Sequence, residues 1–336
     1  MDVLFSMTDQ LYLFAFGLIL LIKGGDWFVD AATGIARRFK LPEILIGATV
    51  VSIGTTLPEV MVSATSAFAG QGSMAYGNAI GSIICNTALI AALTIAIKPA
   101  KADRSALYLP VGFFFATAIF YCLTAYIAGT FTLLTGIILL ACFVVYMTLT
   151  VFLMLRKPKE EKVEEHLDCE LSEELSPIWR DLLFLVIGAA VIAVGADLLV
   201  DNGTKIAEAL GVPATVISLT FVALGTSLPE LVTAITSLLK GHGALSLGNI
   251  IGANLFNLVL VSGVSIAIAP FDVPNEALFF GMNSSLILEI PVMFAVMALL
   301  TLPVLLRGKL SRWQGISLLG IYAAFLVMQF VFVVKA

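Results

Sequence analysis

Histidine is almost absent from this chain. Its 336 residues hold two, His166 and His242, both in connecting stretches. That removes most zinc centres and histidine-based catalytic sites at the outset. Cysteine is scarce as well. Cys85, Cys122 and Cys142 sit in apolar runs and Cys169 in an acidic stretch, with no Cys-x-x-Cys spacing, so neither a disulfide framework nor a thiolate metal site is indicated. The third shortage is charge: 12% of residues are charged and 60% are hydrophobic, which excludes a soluble protein. The net charge of −5 says little, because many of the acids crowd into residues 160–174. No basic flank precedes the first apolar run, so no cleavable signal peptide is expected.

What the chain has is apolar runs. They predict an all-α polytopic membrane protein with ten spans, at about 10–32, 41–68, 74–97, 107–128, 131–155, 178–200, 212–239, 245–269, 278–303 and 312–334. Residues 1–155 and 178–336 form two five-helix units, and residues 156–177 form an acidic cytoplasmic linker. Fifteen Lys and Arg residues fall in the connections on one side and two, Lys205 and Lys335, on the other. The positive-inside rule then puts both termini on the non-cytoplasmic side.

The two units are copies. Adding 171 to a residue number aligns them without a gap from Gly17 to Pro99, and 18 of the 46 positions between Leu41 and Asn86 are identical. Because each unit has an odd number of spans, the second enters from the opposite face. Inverted repeats of this kind place substrate near the midplane, on interrupted helices.

The interruption is a duplicated stretch, Gly-Thr-Thr-Leu-Pro-Glu ending at Glu59 and Gly-Thr-Ser-Leu-Pro-Glu ending at Glu230. Pro58 and Pro229 cannot donate to the carbonyls four residues back, so the second and seventh spans are expected to be broken there. Freed carbonyls, hydroxyls and a carboxylate in one turn make an oxygen cluster of the kind hard cations prefer. Thr55 with Glu59, and Thr226 with Glu230, share a helix face. Asn78, Ser82 and Asn86 line one face of the third span, with Asn249, Ala253 and Asn257 as their repeat partners. Gly77-x-x-x-Gly81 and Gly248-x-x-x-Gly252 run beside these stripes and are expected to bring each against the broken helix of its own half. A lone membrane amide usually only bonds a neighbour, and that reading weighs more for Asn78 and Asn249 than for Asn86 and Asn257. Asp26 and Asp30 are expected to face water or pair with a basic group such as Lys23. Glu289 has no repeat partner and reads as polar packing.

These motifs resemble the alpha repeats of the calcium/cation antiporter superfamily, most closely those of bacterial sodium/calcium exchanger-like inner-membrane proteins. The resemblance covers essentially the whole chain. It implies that Glu59, Glu230, Thr55, Thr56, Thr226, Ser227, Asn86 and Asn257 ligate calcium and sodium, joined by the carbonyls of Ser52 and Ala223. Ser82 also matches a family hydroxyl; Ala253 does not, which bears on one sodium site and on stoichiometry. Potassium-dependent relatives carry aspartate where Asn257 stands, and the linker lacks the calcium-sensing domains of animal exchangers.

The resulting expectation is a calcium-for-sodium antiporter working by alternating access, not an enzyme, and without a cofactor beyond its transported ions. A proton-coupled calcium exchanger is the alternative. A channel and an intramembrane enzyme fit less well: one lacks a reason for the inverted repeat, the other a nucleophile–histidine pair. The partners implied are calcium, sodium and the bilayer, with no nucleic acid, and a monomer is the working expectation.

Overall fold

The computed structural model describes residues 2–39, 41–99, 103–156, 177–209, 225, 227–275 and 277–335. Nearly all of them are helical. We label the helices α1 (Asp2–Phe39), α2 (Glu43–Phe68), α3 (Gly72–Ile97), α4 (Arg104–Ala128), α5 (Leu133–Arg156), α6 (Ile178–Ala209), α7 (Leu228–Leu239), α8 (Gly243–Ile268), α9 (Ser285–Arg307) and α10 (Arg312–Val327). Eight of the described helices are long and apolar enough to cross a bilayer, and α7 and α10 are shorter apolar helices. The chain is an integral membrane protein. Residues 157–176 of the expected linker and 212–224 of the seventh span lie outside the described residues.

The sequence repeat returns as backbone geometry. The turn after α2 is closed by bonds from Ala69, Gly70 and Gln71 to Thr65, Ala67 and Ser66, and the turn after α7 has the same three bonds 171 residues on. Gly70 and Gly241 both take positive φ there, +74° and +85°, the left-handed cap that glycine adopts without cost. Farther along, α3 and α8 each loosen into a π-helical turn at the same repeat position, Asn86–Ala91 and Asn257–Val261.

Helices α1 and α6 cross through their glycines. A Cβ at Gly24 would stand 3.1 Å from the Gly188 carbonyl oxygen, and one at Gly195 would stand 2.9 Å from that of Gly17. Gly24 and Gly195 are repeat partners, as are Gly17 and Gly188, so the crossing maps onto itself. Only small residues permit backbones to approach this closely. Helices α3 and α8 are the most enclosed of the long helices, whereas α1, α5 and α6 stand at the periphery.

Four expectations need correction. The α-helix within α2 runs unbroken from Ser52 to Phe68 with Pro58 inside it. One missing N–H removes one bond, and the turns on either side hold. In the second half the helix starts at Leu228 with Pro229 in its first turn, where the lost donor is no cost. The ninth span begins at Ser285, not 278. Ala277–Phe279 instead forms a strand between Met282–Asn283 and Val333–Lys335, so the tenth span also ends short of 334. Phe280 and Gly281 supply the two positive-φ positions of a tight hairpin, and Asn283 accepts the Ser285 N–H at 2.9 Å. Thr130–Phe131 pairs with Phe271–Asp272 in a second small sheet, so the all-α reading holds for the membrane helices but not for these connections.

Candidate functional site

Helices α2, α3, α7 and α8 bury Ser52, Thr55, Thr56, Glu59, Ser82, Asn86, Ser227, Glu230 and Asn257 together in an otherwise apolar interior. Thr226 and Ala223 lie outside the described residues. Hydrogen bonding divides the set. Both carboxylate oxygens of Glu59 and of Glu230, both amide atoms of Asn86 and of Asn257, and the hydroxyls of Thr56 and Ser227 meet no partner among the described residues. Leaving a neutral buried group unbonded costs about 1–3 kcal/mol, and a charged one more. Six such side chains, three from each half and from four different helices, are an arrangement that packing alone does not favour.

The other asparagines of the stripes are tied down. Asn249 accepts from the Thr55 hydroxyl at 3.2 Å and from Ser52 Oγ at 3.3 Å, and its Nδ2 donates to Thr233 Oγ1 at 2.9 Å. Asn78 Nδ2 donates to Ser63 Oγ at 2.8 Å and to the Glu59 carbonyl at 3.2 Å. These two amides brace the helices that carry the glutamates. Ser52 Oγ also lies 2.7 Å from the Gly47 carbonyl, within the π-helical turn Gly47–Val51, and 2.9 Å from the Asn249 carbonyl, so its one proton is shared among these acceptors. Tyr146 of α5 donates to the Ala48 carbonyl of the same turn at 3.0 Å.

The halves interlock differently from the sequence expectation. Gly248 and Gly252 pack against Ile44, Ala48 and Ser52 of α2, in the opposite half. Asn249, one residue and about 100° further round α8, bonds both α2 and its own α7. The expectation of a same-half contact holds for Asn78 and Asn249 but not for the glycines: Gly248 and Gly252 meet the opposite half, because α8 is wedged between α7 and α2, and a Cβ at Gly77 or Gly81 would meet nothing within 4 Å. The interface therefore runs through the site. The Thr55 hydroxyl of the first half lies beside Glu230 of the second, and the Glu59 and Glu230 carboxylates are near enough to repel.

Some neighbours of the site are not evident from the sequence motifs. The Cys85 thiol sits beside Ser227 and Tyr322, within the field of both glutamates. Asn254 Nδ2 donates to Thr87 Oγ1 at 2.7 Å, linking α3 and α8 next to Asn86. Its repeat partner is Ile83, so a search for matched polar positions passes over it. Phe28 of α1 covers Gly54, where a Cβ would come within 3.1 Å of its ring. Asp26 and Asp30 pair with Lys240 at 3.3 and 2.8 Å, not with Lys23, and so join α1 to the α7–α8 turn.

Chemically the donor set suits hard cations. No three His, Cys, Asp or Glu side chains gather into a metal-binding group among the described residues. The donors are two carboxylates with neutral amide and hydroxyl oxygens, the ligand type of calcium and comparable ions. Thr55, by donating to Asn249, is left with lone pairs to offer a cation. A buried cluster of two carboxylates and neutral oxygens, shared by two matched helical halves, points to a secondary transporter of cations.

The comparisons with known proteins agree. The family profile described as "Sodium/calcium exchanger protein" matches residues 10–152 and again residues 181–331, once per half. The chain belongs to this family and so to the calcium/cation antiporter superfamily. It is 30% identical to the sodium/calcium exchanger MaX1 of Methanosarcina acetivorans, over 96% of this chain and 99% of that one. It is 35% identical to the putative antiporter CaxA of Alkalimonas amylolytica, over 94% and 95%, and 33% identical to the inner membrane protein YrbG of Escherichia coli, over 93% and 94%. Among solved structures it resembles the sodium-calcium exchanger NCX_Mj soaked with sodium and strontium, with a TM-score of 0.79, 32% identity and coverage of 96% and 99%. Cation exchange that includes calcium is therefore the activity of the family.

Proposed function

We propose that this protein exports calcium in exchange for inward-moving sodium, through ten spans arranged as two inverted five-helix repeats with both termini outside the cytoplasm. In this reading Glu59 and Glu230 supply the charge of the site, and Asn86 and Asn257 supply amide oxygens. Thr55, Thr56, Ser82, Thr226 and Ser227 supply hydroxyls, and Ser52 and Ala223 supply carbonyls. The observation that carries it is the match between the ligands expected from the sequence and the buried oxygens that have no partner among the described residues. Two like charges in a dry interior are costly unless cations neutralise them. One Ca²⁺ or two Na⁺ each cancel the pair, so occupancy by one excludes the other, and a site holding neither resists being carried across. That is the physical content of obligatory exchange. Sodium is favoured as the counter-ion because asparagine takes up no proton in the physiological range, and the two glutamates are the only titratable ligands.

The test is calcium flux in proteoliposomes clamped at equal pH on both sides. An opposed sodium gradient should drive calcium, and choline in its place should not. If calcium moves only when a pH gradient is imposed, with or without sodium, the proton-coupled alternative takes over.

A further inference from the structure

Glu289 is not absorbed by the central site. It lies in the first turns of α9, where no repeat partner exists, and none of the ion pairs among the described residues includes it. Its surroundings are polar. Gln329 Nε2 donates to Glu289 Oε1 at 3.1 Å and Ser284 Oγ approaches the same oxygen at 3.5 Å. Ser285 and the Tyr76 hydroxyl also face the carboxylate. Tyr76 and Tyr121 are 2% and 0% exposed, and neither hydroxyl has a hydrogen-bond partner among the described residues. Their rings stack at 6.5 Å, which sets the two side chains next to each other. The Tyr121 hydroxyl faces Ser262, whose own hydroxyl donates to the Asn257 carbonyl at 3.1 Å. A file of oxygens thus leads from Glu289, through two tyrosines and a serine, to the backbone of a central-site residue.

We propose that Glu289, Tyr76, Tyr121 and Ser285 form a second cation site, taking one sodium ion in the end of the bundle where α3, α9 and the close of α4 and α10 meet. The Tyr76 hydroxyl faces the Glu289 carboxylate, and the Tyr121 hydroxyl stands without a partner among the described residues, so buried oxygens are left here for an ion to bridge. The charge selects the ion. One carboxylate among neutral donors is balanced by a monovalent cation, and a divalent one would leave a net positive charge in a dry interior. The file toward Ser262 makes this a staging position for ions on their way to or from Asn257. The proposal does not depend on which ion drives exchange at the central site.

The test uses the full-length purified protein in calcium-free buffer and reads the near-ultraviolet tyrosine difference spectrum when sodium chloride replaces choline chloride. The central site is disabled by the Glu59→Gln/Glu230→Gln pair. A saturable sodium-dependent change should persist in that background, and should be lost when either Glu289→Gln or Tyr121→Phe is added. Loss of the change already in the double variant would overturn the proposal, as would its survival in both triple variants. A change produced by pH in the absence of sodium, and not by sodium at fixed pH, would overturn it in favour of a bound proton. None of these outcomes bears on calcium flux in the unaltered protein, so failure here and failure of the central assignment are separable.

Discussion

At the scale of single residues, Asn249 and Asn257 make opposite demands on the fold although they lie eight positions apart on one helix. Asn249 spends its amide on α2 and α7. Replacing it with leucine leaves the Thr55 hydroxyl without its acceptor and takes a donor from Thr233, and should destabilise the protein by about 1–3 kcal/mol, read as a lower unfolding temperature in detergent. The amides of Asn257 and Asn86 satisfy no group among the described residues. Asn86→Leu and Asn257→Leu should therefore leave the cation-free protein at least as stable, while abolishing most of the stabilisation that added calcium confers. Glu59→Gln and Glu230→Gln belong with this second group: each should abolish calcium transport in proteoliposomes yet keep the protein folded and monodisperse. Near-normal flux in both glutamine variants would remove the centre of the functional reading. Six of the candidate ligands are legible from sequence because a polar group repeated at one position of both apolar halves costs stability twice, and a shared bound ion is what offsets it. Glu289 is not legible in this way, since its hydroxyl neighbours come from distant helices and no repeat flags them.

At the scale of elements, glycines let helices approach closely among the described residues. A Cβ on Gly248 would fall on the Ile44 backbone, whereas one on Gly112 of α4 meets nothing within 4 Å. Gly248→Ala should cost about 1–3 kcal/mol by forcing α2 and α8 apart. Gly112→Ala should be neutral or stabilising by up to about 1 kcal/mol, from helix propensity alone. Thermal unfolding of both variants in one detergent checks the contrast in sign. The spans themselves are readable as hydrophobic runs, but their irregularities are not. The π-helical turn in α2 is held by Tyr146, 98 positions away in sequence, and periodicity within a helix carries no trace of such a bond. The hairpin at 277–283 is hidden for a different reason: Phe279, Phe280 and Met282 prolong an apolar run, and only the single Gly281 marks the turn.

At the scale of the whole molecule, the orientation proposed from the asymmetry of basic residues yields a direct check. A reporter fused at Ala336 should lie outside the cytoplasm, and Cys169 should react with an impermeant thiol reagent only in inside-out vesicles. Labelling of Cys169 in intact cells, absent from a Cys169→Ser control, would reverse the orientation. Both positions lie outside the described residues, so the prediction rests on the distribution of charge alone.

The peripheral pair α1 and α6 has a consequence for the membrane as well as for the protein. At 38 and 32 residues, these helices measure about 57 and 48 Å at 1.5 Å per residue, against a hydrocarbon core of about 30 Å. Helices of this length run on past the hydrocarbon core at their ends, and mismatch of their shorter apolar stretches is met by tilt or by stretched lipid at fractions of a kcal/mol per ångström. Their mutual crossing is smooth backbone, and much of their remaining surface is apolar and faces outward, including Leu11, Phe16, Ile19, Ile22, Leu183 and Val186. Any movement of this pair against the inner helices drags acyl chains with it. The rate of exchange is then expected to vary with bilayer thickness and viscosity, which act as a mechanical load on a protein whose buried oxygens are otherwise out of the lipid's reach.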